Sequence, residues 1–589
     1  MKRKGWIVFL SVALLFMASA SAWPTMKTGI PGLTLSGYIR NQSDIRVYSP
    51  NDFLRCDTNA ALRADYNPSP FLQFYLELRP FVDTAFDMRD RLSRHNRGIM
   101  GIENEDYAWR SSAPHVIGSA GTDTEVGGYV ANRSVLSTNV NTPYWRQNSL
   151  LREAWFRYRH CNWDAKIGKQ IVTWGETDGL KLLDIINPTD FRHFIIDDME
   201  DSKIPVWMMN LTYNFTDKSN LQFIWIPWYV ENFMAPAGSP WALNGVNLIY
   251  FYDHFDALNI VRGGAPLIAA QTACTIDYND PANENEFGIR YKGAIGTSTD
   301  FTLNFFYTHQ HNNVFIEPVG YNPLQPILPG NVRNDVFQFV TNPAMQRIYG
   351  FSFNHVFGNF LGIMRDLVTR GEVAFYHNTE FFGTYKPFGY FTPVLTTYPG
   401  GDIGPAGYGL YPAGDLFITK RNLLRLCSGW DKMVFWKGLN WLLSAQLFWE
   451  HIFDYPHRND NYISNVGLTK AYQDELTWTF YANTDIMNER IKFDNLFVWN
   501  QMKHDGWNRF KVGFDISDHW AFWIGNNFFW GSDNSGEINP FVGTTPIRDG
   551  VPFSPLNPDA DTIGRIRRGG ALGEMKRNTS FFVELKYLF

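Results

Sequence analysis

The chain has 589 residues, of which 45% are hydrophobic, 16% aromatic and only 19% charged, against about 25% charged in soluble chains. Mean hydropathy is nonetheless −0.25, so apolar and polar residues are interleaved; after the N-terminal stretch no charge-free apolar run reaches the roughly 20 residues of a membrane helix. These figures exclude a polytopic helical membrane protein, and a formal charge of −6 with pI near 6.1 gives nucleic-acid binding no support; a membrane β-barrel, whose strands need only about 9–11 residues, stays open.

In chain order, Lys2, Arg3 and Lys4 precede the apolar run Trp6 to Met17, and Ala18-Ser19-Ala20 and Ala20-Ser21-Ala22 follow as small-residue cleavage sites. Residues 1–22 therefore read as a cleaved signal peptide for export, and 23–589 as the mature chain. From there the apolar pattern has period two. Leu72, Phe74, Leu76 and Leu78 oppose Gln73, Glu77 and Arg79. Trp207, Met209, Leu211, Tyr213 and Phe215 oppose Asn210, Thr212 and Asn214. Leu303, Phe305 and Tyr307 oppose Thr302, Asn304 and Thr308, and Phe510, Val512, Phe514 and Ile516 oppose Lys511 and Asp515.

The connections alternate too. Short turns fall near 66–70, 161–163, 215–220, 293–299, 357–365, 430–439, 484–488 and 516–519. Longer connections fall near 85–147, 175–203, 231–283, 312–345, 379–418, 454–472 and 532–576, with shorter ones near 48–53 and 503–507. Eight short turns on the periplasmic side and nine outer loops predict an all-β fold. It is a single transmembrane antiparallel up-and-down barrel of about 18 strands, with both termini in the periplasm. Sixteen strands is the alternative, and the pattern is weakest near 421–434 and 489–502. Residues 85–147 are a long loop, either a lumen plug or a surface cap.

Residues 151–205 carry the most specific pattern. They read Leu151-Arg152-Glu153-Ala154-Trp155-Phe156-Arg157-Tyr158-Arg159, then Lys166-Ile167-Gly168-Lys169-Gln170 and Trp174-Gly175-Glu176-Thr177-Asp178. Leu183-Asp184-Ile185-Ile186-Asn187-Pro188-Thr189-Asp190 and Glu200-Asp201-Ser202-Lys203-Ile204-Pro205 follow. This segment resembles domain-of-unknown-function family 1302, an outer-membrane barrel family, and is more distantly similar to alginate-export-type barrels. The family usually has Gly-Arg-Gln where this chain has Gly168-Lys169-Gln170. Charge is kept there and the bidentate fork is lost. The resemblance implies a transport barrel of unassigned substrate and no catalytic residue.

Between 175 and 203 eight acids face three bases. The acids include Glu176, Asp178, Asp184 and Asp190, and Arg192 is one of the bases. The predicted inner wall is mostly basic, with Arg79, Arg157, Arg159, Lys166, Arg290 and Arg370 as pore-lining candidates beside Glu77, Glu153, Glu372 and Glu450. Two readings stay open for 175–203: a constriction folded into the lumen, whose charges set selectivity, or a structural loop docked on the rim. Asn187-Pro188-Thr189-Asp190 reads as a turn leading into a short helix. Gly175 and Gly179 read as positions for unusual backbone angles, and Trp174 as an interfacial girdle residue.

Cys56, Cys161, Cys274 and Cys427 have no close spacing; Cys56 with Cys274 is the one plausible pair. His309 and His311 read as solvated groups at a strand end, and no metal or cofactor motif is present. In the last strand Phe581, Val583, Leu585, Tyr587 and Phe589 oppose Glu584 and Lys586. Tyr587 and the terminal Phe589 resemble the signal read by the barrel-assembly machinery. The expected partners are therefore that machinery, outer-membrane lipid and lipopolysaccharide, and an unknown small solute. No nucleophile with a positioned base can be assembled, so an enzyme is not expected. The leading function is an outer-membrane porin-like channel for small polar or amphiphilic solutes. The alternatives are a plugged barrel for hydrophobic substrates and a structural sleeve for a partner protein.

Overall fold

The computed structural model describes residues 26–48, 53–83, 150–177, 180–234, 241, 274–278, 284–311, 316–319, 337–341, 344–358, 366–385, 395–397, 403–405, 418–455, 461–464, 471–531 and 570–589. The proposed signal peptide, the 85–147 loop, Asp178 and Gly179 lie outside these residues.

Eighteen strands form the wall. They are β1 (Leu33–Arg46), β2 (Phe53–Ser69), β3 (Leu72–Leu78), β4 (Leu151–His160), β5 (Trp163–Gln170) and β6 (Val206–Thr216). Next come β7 (Ser219–Ile226), β8 (Glu286–Ile295), β9 (Thr299–His309), β10 (Met345–Val356), β11 (Val368–Tyr385) and β12 (Ile418–Trp436). The ring is completed by β13 (Leu439–Ile452), β14 (Asp474–Ile486), β15 (Ile491–Asn500), β16 (Asp505–Asp515), β17 (Trp520–Trp530) and β18 (Ser580–Leu588). Each pairs antiparallel with the next, and β1 pairs with β18 from Tyr38↔Leu588 to Arg46↔Ser580, which closes the barrel. Closure leaves no unpaired sheet edge. The two weakest stretches of the pattern are both strands, β12 and β15, so eighteen is realised and sixteen is not.

Period-two alternation fixes which side each residue takes. The outward rows are apolar and exposed: Leu303 is 51% accessible, Phe581 59%, and Phe223, Ile289, Phe351, Phe480 and Phe510 behave alike. So large an exposed apolar band would be untenable in water and is what a lipid-facing wall requires. The inward rows carry the polar residues, as in Thr302 and Asn304 of β9 or Arg509 and Lys511 of β16. In β18 Glu584 and Lys586 take the inner side; the Lys586 ammonium lies 4.5 Å from the Tyr38 ring centre. Tyr587 keeps outward parity but is covered by Trp520, at 4.8 Å between ring centres.

The interior is not empty. Two apolar clusters join the wall to a segment inside the ring: Trp174, Leu183, Ile186 and Ile204 pack with Phe306, Ile348 and Leu423, and Phe194 and Ile196 pack with Val498, Trp507 and Phe529.

Candidate functional site: a segment folded across the lumen

Residues 171–177 and 180–205, between β5 and β6, lie inside the barrel. Their departure from the wall is prepared by the Gly168-Lys169-Gln170 motif. Gly168 has φ +134, a conformation favouring glycine, and interrupts the alternation. Lys169 is then buried with its Nζ on the Leu151 carbonyl at 2.7 Å. The Gln170 amide donates to the carbonyls of Lys166 and Met208, each at 3.1 Å. The departure from arginine at 169 therefore falls on a buried structural position.

The segment is tied to itself by two side chains. Asn187 accepts from the Val172 N–H at 2.8 Å and donates to the carbonyls of Gln170 (3.2 Å) and Ile204 (2.9 Å), joining the two ends of the excursion. Lys203 reaches Thr173 Oγ1 at 2.7 Å and the carboxylates of Asp184 and Glu200, each at 2.9 Å. Asn187-Pro188 is thus a turn, as expected, but a two-residue strand, Asp190–Phe191, follows it in place of a helix; it pairs parallel with Phe233–Met234. The single helical turn comes later, at Met199–Ser202.

Ties to the wall come from opposite sides. On β10 and β11, Glu372 accepts the backbone N–H groups of Glu176 and Thr177, the latter at 2.8 Å. Arg370 donates to the Glu176 carbonyl at 2.6 Å, Asn354 to the Glu176 carboxylate at 2.8 Å, and the Tyr376 hydroxyl to the Leu182 carbonyl. Half a ring away, Asp201 pairs with Arg40 of β1 at 2.7 Å and with Arg79 just beyond β3. Asp197 pairs with Arg55 of β2, and Asp198 with Arg509 of β16 at 3.1 Å. Arg152 of β4 donates to the carbonyls of Glu200 (3.0 Å) and Lys203 (3.2 Å). Wall glycines make room: a Cβ on Gly350 would meet Leu183 at 2.2 Å, and one on Gly288 would meet Trp174 at 2.6 Å.

These contacts reset the protonation of the segment. Burial pushes the Asp201 carboxyl up, and the Arg79 and Arg40 guanidiniums outweigh it, leaving Asp201 well below the usual range. Burial likewise raises and Arg55 with His193 lowers Asp197, which ends well below its ordinary value. Burial, with Arg55, pushes His193 down, and Asp197 and Asp57 together push it up past that, so it ends above 6.5. Burial lowers Lys181 to about 8, only partly offset by Asp184.

The sequence-derived candidates separate into two groups. Arg79, Glu176, Asp184, Asp190, Arg192, Arg290 and Arg370 all meet at the crossing segment. Asp184 is bound to Lys203 and Asp190 to Arg192 (2.8 Å), so both carboxylates are neutralised within the segment. Arg290 lies 5.5 Å from the Trp174 ring centre and donates to the Thr173 carbonyl at 3.3 Å. Arg157, Arg159 and Lys166 lie apart, on the β4–β5 hairpin. Arg157 bonds Asp164 at 2.7 Å, Arg159 stands 3.6 Å from the same carboxylate, and Lys166 lies 4.1 Å from the Trp155 ring centre. Asp178 lies outside the described residues.

Three local expectations are corrected. Trp174 is not a girdle residue: it is 1% exposed, donates to Gln222 at 2.9 Å and packs edge-on to Phe306. Gly175 answers a need for space, since a Cβ there would meet Asp184 at 3.0 Å, and its backbone angle is ordinary. His309 and His311 are not solvated: His309 is buried 3.3 Å from the Glu286 carboxylate, and His311 bonds the Val230 carbonyl at 2.8 Å. The expected Cys56–Cys274 pair involves Cys274, whose side chain lies outside the described residues. Sequence reasoning missed Arg40, Arg55, Arg152 and Arg509 as partners of the segment; the alternation of Tyr38, Arg40 and Gln42 along β1 was the one signal available.

A closed barrel crossed by an inserted segment defines a class of membrane-wall protein with a partitioned lumen. The chain belongs to the family described as Protein of unknown function (DUF1302), which it matches over residues 73–561. It is similar in shape to the outer membrane protein opdK from Pseudomonas aeruginosa, with TM-score 0.38 and 8% identity over 95% of this chain and 98% of that one. OccK9 (OpdG) from the same organism gives TM-score 0.40 and 10% identity, over 96% of this chain and 99% of that one. A BenF-like porin from Pseudomonas fluorescens Pf-5 gives 0.40 and 8%, over 95% and 99%. No curated protein matches the chain.

Proposed function

We propose that this protein is a porin-like channel of the bacterial outer membrane, passing small polar or amphiphilic solutes through a lumen narrowed by residues 171–205. The observation that carries the reading is the crossing itself: one segment bonded to Glu372 on one side and to Arg40, Arg79 and Arg55 on the other. A segment so held divides the bore into narrow passages without closing the wall. In this reading residues 1–22 direct export, the short turns face the periplasm, lipid and lipopolysaccharide surround the apolar band, and the assembly machinery reads the strand ending at Tyr587 and Phe589. On the wall beside the segment, Arg290 donates to the Thr173 carbonyl and has no carboxylate at ion-pair distance among the described residues, which favours anions on that side.

The test is single-channel conductance of the folded barrel in planar bilayers, with reversal potential under a salt gradient. Wild type is expected to give small, steady, anion-preferring openings. Glu372→Ala removes the acceptor of two backbone N–H groups and should give larger, noisier openings; Arg290→Ala should lower the anion preference. Folded protein that stays silent in both wild type and Glu372→Ala would overturn the reading.

A further inference from the structure

The crossing segment leaves a cavity of about 600 Å³ between itself and the inner faces of β9 to β16, roofed by Ala571 and Leu572. That volume is in the range that takes a small organic ligand. Two features of the lining are unlike a polar pore. First, inward positions that a water-filled lumen would keep polar are apolar: Ile348, Leu423 and Phe448 cluster with the segment's Ile185, and Val498 and Trp507 with its Phe194. Second, most of the charges that line it are matched in place, and of the others Lys181 bonds the Thr189 hydroxyl at 2.9 Å and Asp505 accepts the Gly573 N–H at 3.1 Å. Arg425 holds Glu450 at 2.6 Å, Lys503 holds Glu475 at 2.9 Å, Arg509 holds Asp198 at 3.1 Å, and Asp184 is held by Lys203 at 2.9 Å. An ionic solute entering here would lose water and find each of these counter-charges already engaged. A solute with an apolar body gives up no charge hydration by entry, and Thr477 and Asn500, bonded to each other at 3.2 Å, line the cavity as neutral hydrogen-bonding groups.

We infer that this chamber binds an uncharged solute with a compact apolar body and one or two hydrogen-bonding groups, and that it is a holding site on the transport path. The inference rests on the channel reading for the word path, and on the lining alone for the ligand class.

The experiment reads binding without current. The full barrel is placed in lipid nanodiscs and titrated with 3-bromo-1-adamantanol, whose bromine quenches nearby indoles; Trp507 forms part of the chamber wall. Wild type should show a saturable quenching component that excess 1-adamantanol displaces. The component should be lost in Trp507→Phe and weakened at least tenfold in Leu423→Asn. The bromoadamantane carboxylate should not produce it, until Glu450→Gln frees Arg425 from its counter-charge and admits the anion. No displaceable component in folded wild type, or equal saturation by the carboxylate in wild type, would overturn the inference; displacement is read on wild type alone, so a misfolded variant does not blunt the test. A barrel that conducts but does not bind sinks the chamber and keeps the channel, and one that binds but never conducts does the reverse.

Discussion

Asn187 joins the Gln170 and Val172 backbone at the start of the segment to the Ile204 backbone at its end, and its side chain serves the Val172 N–H and two carbonyls together. Asn187→Ala leaves a buried donor without an acceptor, a loss of about 1–3 kcal/mol. The cost falls on the segment and not on the ladder of the wall. The expected outcome is a barrel that still folds but is cut by protease between residues 171 and 205. Limited proteolysis of the folded protein checks it, and unchanged resistance would show that the ties from Lys203 suffice. Lys203 is the comparison, because it is buried and its ammonium meets both Asp184 and Glu200. Lys203→Met removes the cation and strands the Asp184 carboxylate, so it should harm the segment more than Asn187→Ala does.

At the scale of the element, the inserted segment has its own pH window. His193 lies above 6.5, so the stabilisation it gives with Asp197 is complete below 6.5 and is lost as pH rises through its raised value. Asp190, Asp197, Asp198 and Asp201 lie below 3.8, so their contribution is complete above 3.8 and is lost as pH falls through their lowered values. The segment should be held most firmly between those two ordinary values. Hydrogen exchange at 193–201, corrected for its intrinsic pH dependence, should quicken above pH 6.5, and His193→Gln should abolish that step. A flat corrected profile would remove the histidine from the anchorage. The wall around this element was legible in the sequence because a strand's faces are set by neighbours two residues apart. Even β12 and β15, where aromatic rows are broken by Lys and Asp, followed from the turns that flank them. The anchorage was not legible. Arg40, Arg55, Arg152 and Arg509 come from four strands, and no spacing along the chain foretells which inward cation meets which loop carboxylate. Asp190 with Arg192 could be found because that pair is local.

For the whole molecule, the seam between first and last strands is the step that turns a sheet into a barrel. Phe589 completes it: its N–H donates to the Gly37 carbonyl at 3.0 Å, and the Gly37 N–H donates to the Phe589 carbonyl at 2.8 Å. Deleting Phe589 removes both bonds at one end of the closure. Refolding into vesicles should then yield less of the compact, heat-modifiable form on electrophoresis; an equal yield would show that the Tyr38↔Leu588 to Arg46↔Ser580 register closes the ring unaided. The crossing segment bears on the ring in a different way. A bare hoop of strands can be squeezed into an ellipse by the lateral pressure of the membrane around it. A spoke fastened to Glu372 on one arc and to Arg40, Arg79 and Arg55 on the other fixes one diameter. The bore along that diameter should keep its width in thick and thin bilayers alike, so that traffic through the wall is insulated from the mechanical state of the membrane that holds it.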